Sequence, residues 1–145
     1  MTKQDAAEAV LAAKHASGVT WSELAELAGR PEVWTAAALL GQHPIERRAA
    51  QRIGQRLQLD DAAVEAMTRR PYRASGRHLL SDPTIYRLHE LVLVYGPAIK
   101  ELIHEKFGDG IMSAINFSMT LERVERDGEP RVRITLDGKY LPYQW

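Results

Sequence analysis

The sequence predicts an α+β fold, in which an all-α, helix-turn-helix-like N-terminal domain of five helices over residues 1–68 precedes a smaller C-terminal domain of two helices and a β-hairpin. Three observations predict this arrangement. Up to residue 68, short amphipathic segments rich in Ala, Leu and Glu alternate with helix-stop residues. Residues 69–81 show no apolar period, which indicates a linker before the C-terminal domain at 82–145. Beyond Gly110 the hydrophobic period changes to two, which indicates strands.

The composition excludes several classes of protein. The 145 residues include 19 Lys and Arg, 19 Asp and Glu, and no Cys, so a disulfide scaffold, a thiolate nucleophile and a cysteine metal site are excluded. The apolar run Leu91–Tyr95 is far shorter than the roughly 20 residues of a membrane helix. The N-terminus carries Asp5 and Glu8 and does not resemble a secretory signal, so we expect a cytoplasmic protein. Zero net charge predicts no general attraction to nucleic acid or membrane, so any anion chemistry must be local.

The N-terminal helices are predicted from caps and stops. The first helix covers about 5–16 and ends at Gly18, and Thr20 with Glu23 forms a capping box for the second helix. Gly29 turns the chain into a third helix from Pro31 to about Leu40.

Two more helices complete this domain. The fourth, about 45–57, places apolar residues at four-residue spacing on one face, and a fifth begins at Asp60-Asp61, whose charge suits a helix N-terminus. The predicted core positions of the fourth helix are Ile45, Ala49, Ile53 and Leu57.

A helix-turn-helix pattern raises the hypothesis of a DNA-binding regulator. Reading bases requires hydrogen-bond donors on the second helix of the motif, together with cations for phosphate. The third predicted helix offers Glu32, Val33, Trp34 and Thr35 before a run of Ala and Leu. We therefore interpret the motif as a fold without that function, and keep the regulator as the alternative.

The C-terminal domain is predicted to contain two helices and two strands. Asp82-Pro83 starts a helix that runs to Tyr95, Gly96-Pro97 interrupts it, and a second helix covers about 97–107. Alternating residues predict strands over 115–121 and 132–136, joined by a turn at 127–130.

These elements carry more apolar surface than one subunit can cover. A lone hairpin is marginal in water, and the helix at 83–95 is apolar nearly all round, with Val94 lying between Arg87 and Glu90. A segment of about 60 residues is small to bury such a helix alone. We therefore expect a homo-oligomer in which the hairpin pairs with a partner subunit. The residues on the other side of the helix are Ile85, Leu88, Val92 and Tyr95.

Arg87, Glu90 and Ser113 are the candidate site residues. Arg87 and Glu90 are three apart, which fits either a solvated ion pair or, if a partner covers Val94, a partly desolvated anion site. Ser113 fits a strand-edge serine or a donor to an anion, since no G-x-S-x-G elbow supports a nucleophile. The turn Phe107–Gly110 lacks the spacing of a phosphate loop, and the histidines lack metal-ligand spacing, so no metal site is predicted.

Several segments resemble the cyanate hydratase (cyanase) family. In the N-terminal half, ALLGQ at 38–42 and TWSELA at 20–25 are similar to its helical domain, and residues 73–80 depart most from it. The collinear segments of the C-terminal half are DPTIYR at 82–87, VYG at 94–96, HEKFGDGI at 104–111, SAINF at 113–117 and ITLDGKYLP at 134–142.

The resemblance implies a lyase that decomposes cyanate with bicarbonate, through carbamate, to ammonia and carbon dioxide, as a means of cyanate detoxification. The family's catalytic arginine, glutamate and serine fall on Arg87, Glu90 and Ser113. It also implies a decamer built from dimers, with sites shared between subunits. It implies no cofactor; bicarbonate is a co-substrate. A catalytically silent oligomerisation module remains a third hypothesis.

Overall fold

The computed structural model describes residues 1–71 and 79–145 as six α-helices followed by a two-stranded hairpin, which confirms the predicted α+β class. The predicted linker at 69–81 lies partly outside the described residues, and its end, Leu79–Ser81, forms a short 3-10 turn. The predicted domain boundaries stay a prediction. The elements are α1 Lys3–Ser17, α2 Trp21–Ala28, α3 Glu32–Leu39, α4 Arg47–Leu57, α5 Asp61–Thr68, α6 Pro83–Phe107, β1 Gly110–Arg126 and β2 Glu129–Pro142.

The predicted capping box at the start of α2 is present. The Thr20 hydroxyl accepts the Glu23 amide at 3.1 Å, and the Glu23 carboxylate accepts the Thr20 amide at 2.7 Å. The hydrogen bond from the Thr20 amide holds the pKa of the Glu23 carboxyl below its ordinary value. The sequence did not reveal that α1 begins with the same motif, formed by Thr2 and Asp5. Two orphan amides are thereby satisfied at each of these helix starts.

The core of the N-terminal helices lies where the sequence predicts it. Ile45, Ala49, Ile53 and Leu57 are all buried, the first just before α4 and the others on one face of it. Gly54 lies so close to α5 that an added Cβ would collide with the Val64 side chain. These helices therefore pack through one apolar face each, as amphipathic helices do.

Helix α6 corrects the prediction of two C-terminal helices. It runs unbroken from Pro83 to Phe107 with Pro97 inside it, and the Asp82 carboxylate caps it by accepting the Ile85 amide at 2.9 Å. Pro97 has no N–H to donate to the Leu93 carbonyl, so one helical hydrogen bond is lost. That loss does not end a helix that continues for ten residues beyond the proline.

The hairpin is longer than the alternation of its side chains indicates. Its strands contain 17 and 14 residues, against predicted strands at 115–121 and 132–136. Asp127 and Gly128 join them with positive φ angles of 53° and 77°, the backbone of a two-residue turn that fits the twist of paired strands. Because backbone pairing needs no apolar side chains, the ladder extends through polar residues on both sides of this turn.

Burial differs sharply between the two halves of the described chain. Every fully buried apolar side chain among the described residues lies between Ala6 and Met67, and α6 buries none. No helix in the two described ranges is both long enough and apolar enough to cross a bilayer. The large apolar side chains of α6 that are 37% to 62% exposed are Ile85, Tyr86, Leu88, Leu91, Val92, Leu93, Val94, Tyr95, Ile99, Leu102 and Phe107.

Candidate active site

The first two turns of α6 bring Arg87 and Glu90 together. An Arg87 Nη1 donates to Glu90 Oε2 at 2.6 Å, a short charge-assisted hydrogen bond between residues three apart on one helix face. The Asp82 cap and Pro83 fix where the helix begins, and so fix which face carries the pair.

The surroundings of this pair are apolar but open in the single chain. The side chains of Arg87 and Glu90 are 74% and 46% exposed, so as a surface ion pair they contribute about 0.2–1 kcal/mol to stability. At 100° per residue, Leu91 and Val94 lie on the same face as the pair, and both are exposed. A partner that covers Leu91 and Val94 would also remove water from the guanidinium and strengthen its attraction for an anion.

Ser113, near the start of β1, differs from this exposed pair because it is buried and hydrogen-bonded to the backbone. It is 6% exposed, and its Oγ accepts the amides of Ile115 at 3.1 Å and Asn116 at 3.0 Å. A hydroxyl oxygen has two lone pairs and one hydrogen, so two incoming N–H donors leave the hydrogen free to donate. Ser113 therefore suits donation to an anion better than attack as a nucleophile.

No hydrogen bond joins Ser113 to Arg87 or Glu90 within the described part of the single chain. The hydrogen bonds of the described residues therefore do not by themselves hold the charged pair and the serine together.

A cleft in this half of the molecule lies elsewhere. It measures about 640 Å³, lies between the second half of α6 and the C-terminal residues, and includes Lys100, His104 and Trp145 but none of the three candidate residues. We base the candidate site on the chemistry of Arg87, Glu90 and Ser113 rather than on this cleft.

The Gly108–Gly110 turn serves as a helix stop and an anchor. The Gly108 amide donates to the His104 carbonyl at 2.9 Å, and the Asp109 carboxylate accepts the Trp145 indole N–H at 2.8 Å. The turn thus holds the C-terminal residues, which agrees with its interpretation as a turn rather than a phosphate cradle. Among residues 1–71 and 79–145, no three His, Asp or Glu side chains lie close enough together to hold a metal ion.

Two features of the site were not predicted from the sequence. One is the pair of backbone amides on Ser113, and the other is Gly138 of β2, where an added Cβ would lie 2.5 Å from the Ser113 carbonyl oxygen. A glycine within an alternating strand pattern is a known sign of close backbone approach, so Gly138 was the available signal.

The residues of α3 are poorly placed to read DNA. Trp34 stacks on His43 with ring centroids 5.6 Å apart and lies under the Arg30 guanidinium at 5.2 Å, while Thr35 is fully buried. Side chains engaged in this way leave few donors for base edges.

Two family models match nearly the whole chain. Residues 3–71 match the N-terminal domain of cyanate hydratase, and residues 77–145 match the cyanate lyase C-terminal domain. Both segments of the N-terminal resemblance and all those of the C-terminal one fall inside these matches.

Curated relatives and a solved structure agree with the family models. The cyanate hydratase of Mycolicibacterium vanbaalenii is 51% identical over all of this chain and 95% of its own, and that of Pseudomonas savastanoi pv. phaseolicola is 50% identical over 98% and 92%. The crystal structure of cyanase from T. urticae matches with a TM-score of 0.80 and 35% identity, covering 94% of this chain and 96% of that one. None of these three is named for DNA binding, so the alternative of a regulator gains no support. The chain belongs to the cyanate hydratase family.

Proposed function

We propose that the chain is a cyanate hydratase that combines cyanate with bicarbonate. A bicarbonate oxygen bonds to the cyanate carbon, the adduct takes up one proton, and a C–O bond breaks to release carbon dioxide and carbamate. Carbamate takes up a second proton and separates into ammonia and a second carbon dioxide. The observation that carries the proposal is the Arg87–Glu90 pair on an apolar helix face, in a chain that is 51% identical to a cyanate hydratase over its full length.

The main physical obstacle is repulsion between the two anions. At a separation of about 4 Å, two unit charges repel by ~1 kcal/mol in water and by ~4 kcal/mol at an effective dielectric constant near 20. The guanidinium of Arg87 offsets this repulsion, and its planar set of donors fits carboxylate-like oxygens. Glu90 holds Arg87 in place through the 2.6 Å hydrogen bond and assists proton movement.

Ser113 supplies the second contact. Its oxygen already accepts two amides, so its hydrogen is available for an oxygen or nitrogen of the adduct, where negative charge accumulates. Holding both reactants in register removes up to ~7–11 kcal/mol of a barrier in well-oriented cases, so positioning and charge carry the reaction without a cofactor.

Assembly completes the site in this proposal. A helix and hairpin that bury no large apolar side chain in the single described chain cannot be stable in water on their own. Partner subunits cover α6, pair with the hairpin and bring the guanidinium and hydroxyl of different chains together, in a decamer of five dimers located in the cytoplasm.

The test is an ammonia-release assay on the purified protein with cyanate, in buffer first stripped of carbon dioxide and then supplemented with bicarbonate. Ammonia release that requires bicarbonate supports the proposal, and undiminished release without it indicates simple hydrolysis instead. Absence of release under both conditions, from an assembled protein, would favour a silent oligomerisation module.

A further inference from the structure

Gly138 of β2 lies against the backbone of Ser113. A Cβ built on Gly138 would be 2.5 Å from the Ser113 carbonyl oxygen and would collide with the Met112 side chain. The carbonyl oxygen is part of the main chain, so it cannot swing aside as the end of a side chain does. Only the absence of a side chain at Gly138 permits this approach.

Real Cβ atoms stay at least 3.0 Å from such neighbours, and nine in ten stay beyond 3.4 Å. Accommodating a methyl group at Gly138 therefore requires the Ser113 carbonyl to move by about 0.5–0.9 Å, the difference between these limits and 2.5 Å. The other side of Ser113 is held through Oγ by the amides of Ile115 and Asn116. A shift of the carbonyl consequently moves the hydroxyl away from the position in which it accepts these two amides.

We propose that Gly138 is a positioning residue, whose missing side chain lets β2 hold the Ser113 backbone where the hydroxyl donates to the reacting anions. This inference rests on the proposed function, because it assigns Gly138 an effect that passes through Ser113. A displacement approaching 1 Å costs up to about 10²-fold in rate, so Gly138→Ala should lower kcat/KM by about 10- to 100-fold.

A double-mutant cycle separates positioning from a general effect on folding. The cycle compares wild type, Gly138→Ala, Ser113→Ala and the double variant, each with its oligomeric state measured by light scattering. If Gly138 acts through Ser113, the double variant has the kcat/KM of Ser113→Ala within about twofold, since its hydroxyl is already gone. Multiplied losses in the double variant would overturn the inference. Oxalate, the smallest dicarboxylate, is a dianion that mimics the two substrate anions together, so we expect it to inhibit, and its inhibition constant should follow the same pattern.

Another glycine of the strand pair provides a control. Gly110→Ala meets the Leu141 carbonyl as closely as Gly138→Ala meets that of Ser113, so it tests whether any clash in this strand pair has the same result. Its loss should multiply with that of Ser113→Ala; a loss that vanishes in the Ser113→Ala background would overturn the assignment to Gly138.

Met112→Ala keeps the test possible if Gly138→Ala does not assemble. This change removes the Met112 side-chain collision and leaves the carbonyl of Ser113 as the main obstacle. The same cycle is then measured in the Met112→Ala background. Failure to assemble there as well would overturn the inference, because it would assign Gly138 to folding alone. Wild-type turnover of cyanate is checked first, so that failure of the proposed function is distinguished from failure of this inference.

Discussion

Replacing Arg87 by Ala separates a catalytic role from a structural one, because the two predict losses of different size. The exposed Arg87–Glu90 pair is worth about 0.2–1 kcal/mol to stability. In the proposed site, the guanidinium would offset a repulsion of about 4 kcal/mol between two anions at an effective dielectric constant near 20. Loss of that offset corresponds to about 10³-fold in kcat/KM, at about 1.36 kcal/mol for each factor of ten.

The assay is ammonia release at fixed bicarbonate, combined with urea unfolding and light scattering of the same samples. We expect Arg87→Ala to lose about 10³-fold in kcat/KM and to keep both its assembly and a cooperative unfolding transition in urea. Arg123→Ala is the matched control, because Arg123 is similarly exposed, at 76%, and pairs with Glu125 at 3.0 Å. It should retain full activity. A kcat/KM of Arg87→Ala within tenfold of wild type, with assembly intact, would refute the assignment of the anion site.

Three further predictions concern the serine, the apolar helix and acid stability. Ser113→Ala should raise the inhibition constant of oxalate by about 10- to 100-fold, the value of a hydrogen bond to a charged group, and an unchanged constant would remove Ser113 from the site. Val92→Glu, on the face of α6 opposite Arg87, should reduce the mass measured by light scattering, whereas an intact assembly would show that this face is not covered. Glu23→Gln should destabilise the protein at neutral pH but not in acid. The native pKa of Glu23 is depressed by the Thr20 amide, so its contribution is present above the unfolded pKa and is lost as pH falls through the native one. A difference in Tm between variant and wild type that persists equally at acidic pH would contradict this.

Local signals predicted the N-terminal helices well. The capping box of Thr20 and Glu23 and the stop at Gly18 depend on a few neighbouring residues, so they are visible in the sequence. The core positions of α4 were predicted for the same reason, because periodic burial against one partner surface follows directly from the helical repeat.

The C-terminal half was harder to predict, because its outcome depends on neighbours that the sequence does not reveal. Gly96-Pro97 was interpreted as a break, although one lost hydrogen bond does not end a helix that continues on both sides of the proline. The lengths of the strands depend on backbone pairing rather than on side-chain alternation. The state of Ser113 depends on two amides and on Gly138, which is 25 positions away in the chain.

The lack of buried large apolar side chains in α6 and the hairpin also predicts that stability and activity depend on protein concentration. If contacts between copies supply the missing core, the melting temperature and specific activity must both rise with protein concentration by mass action. Inactive subunits would then lower the activity of active subunits in the same oligomer. Mixing inactive and active chains would give a non-linear loss of turnover, and the shape of that curve would count the copies that each working centre requires.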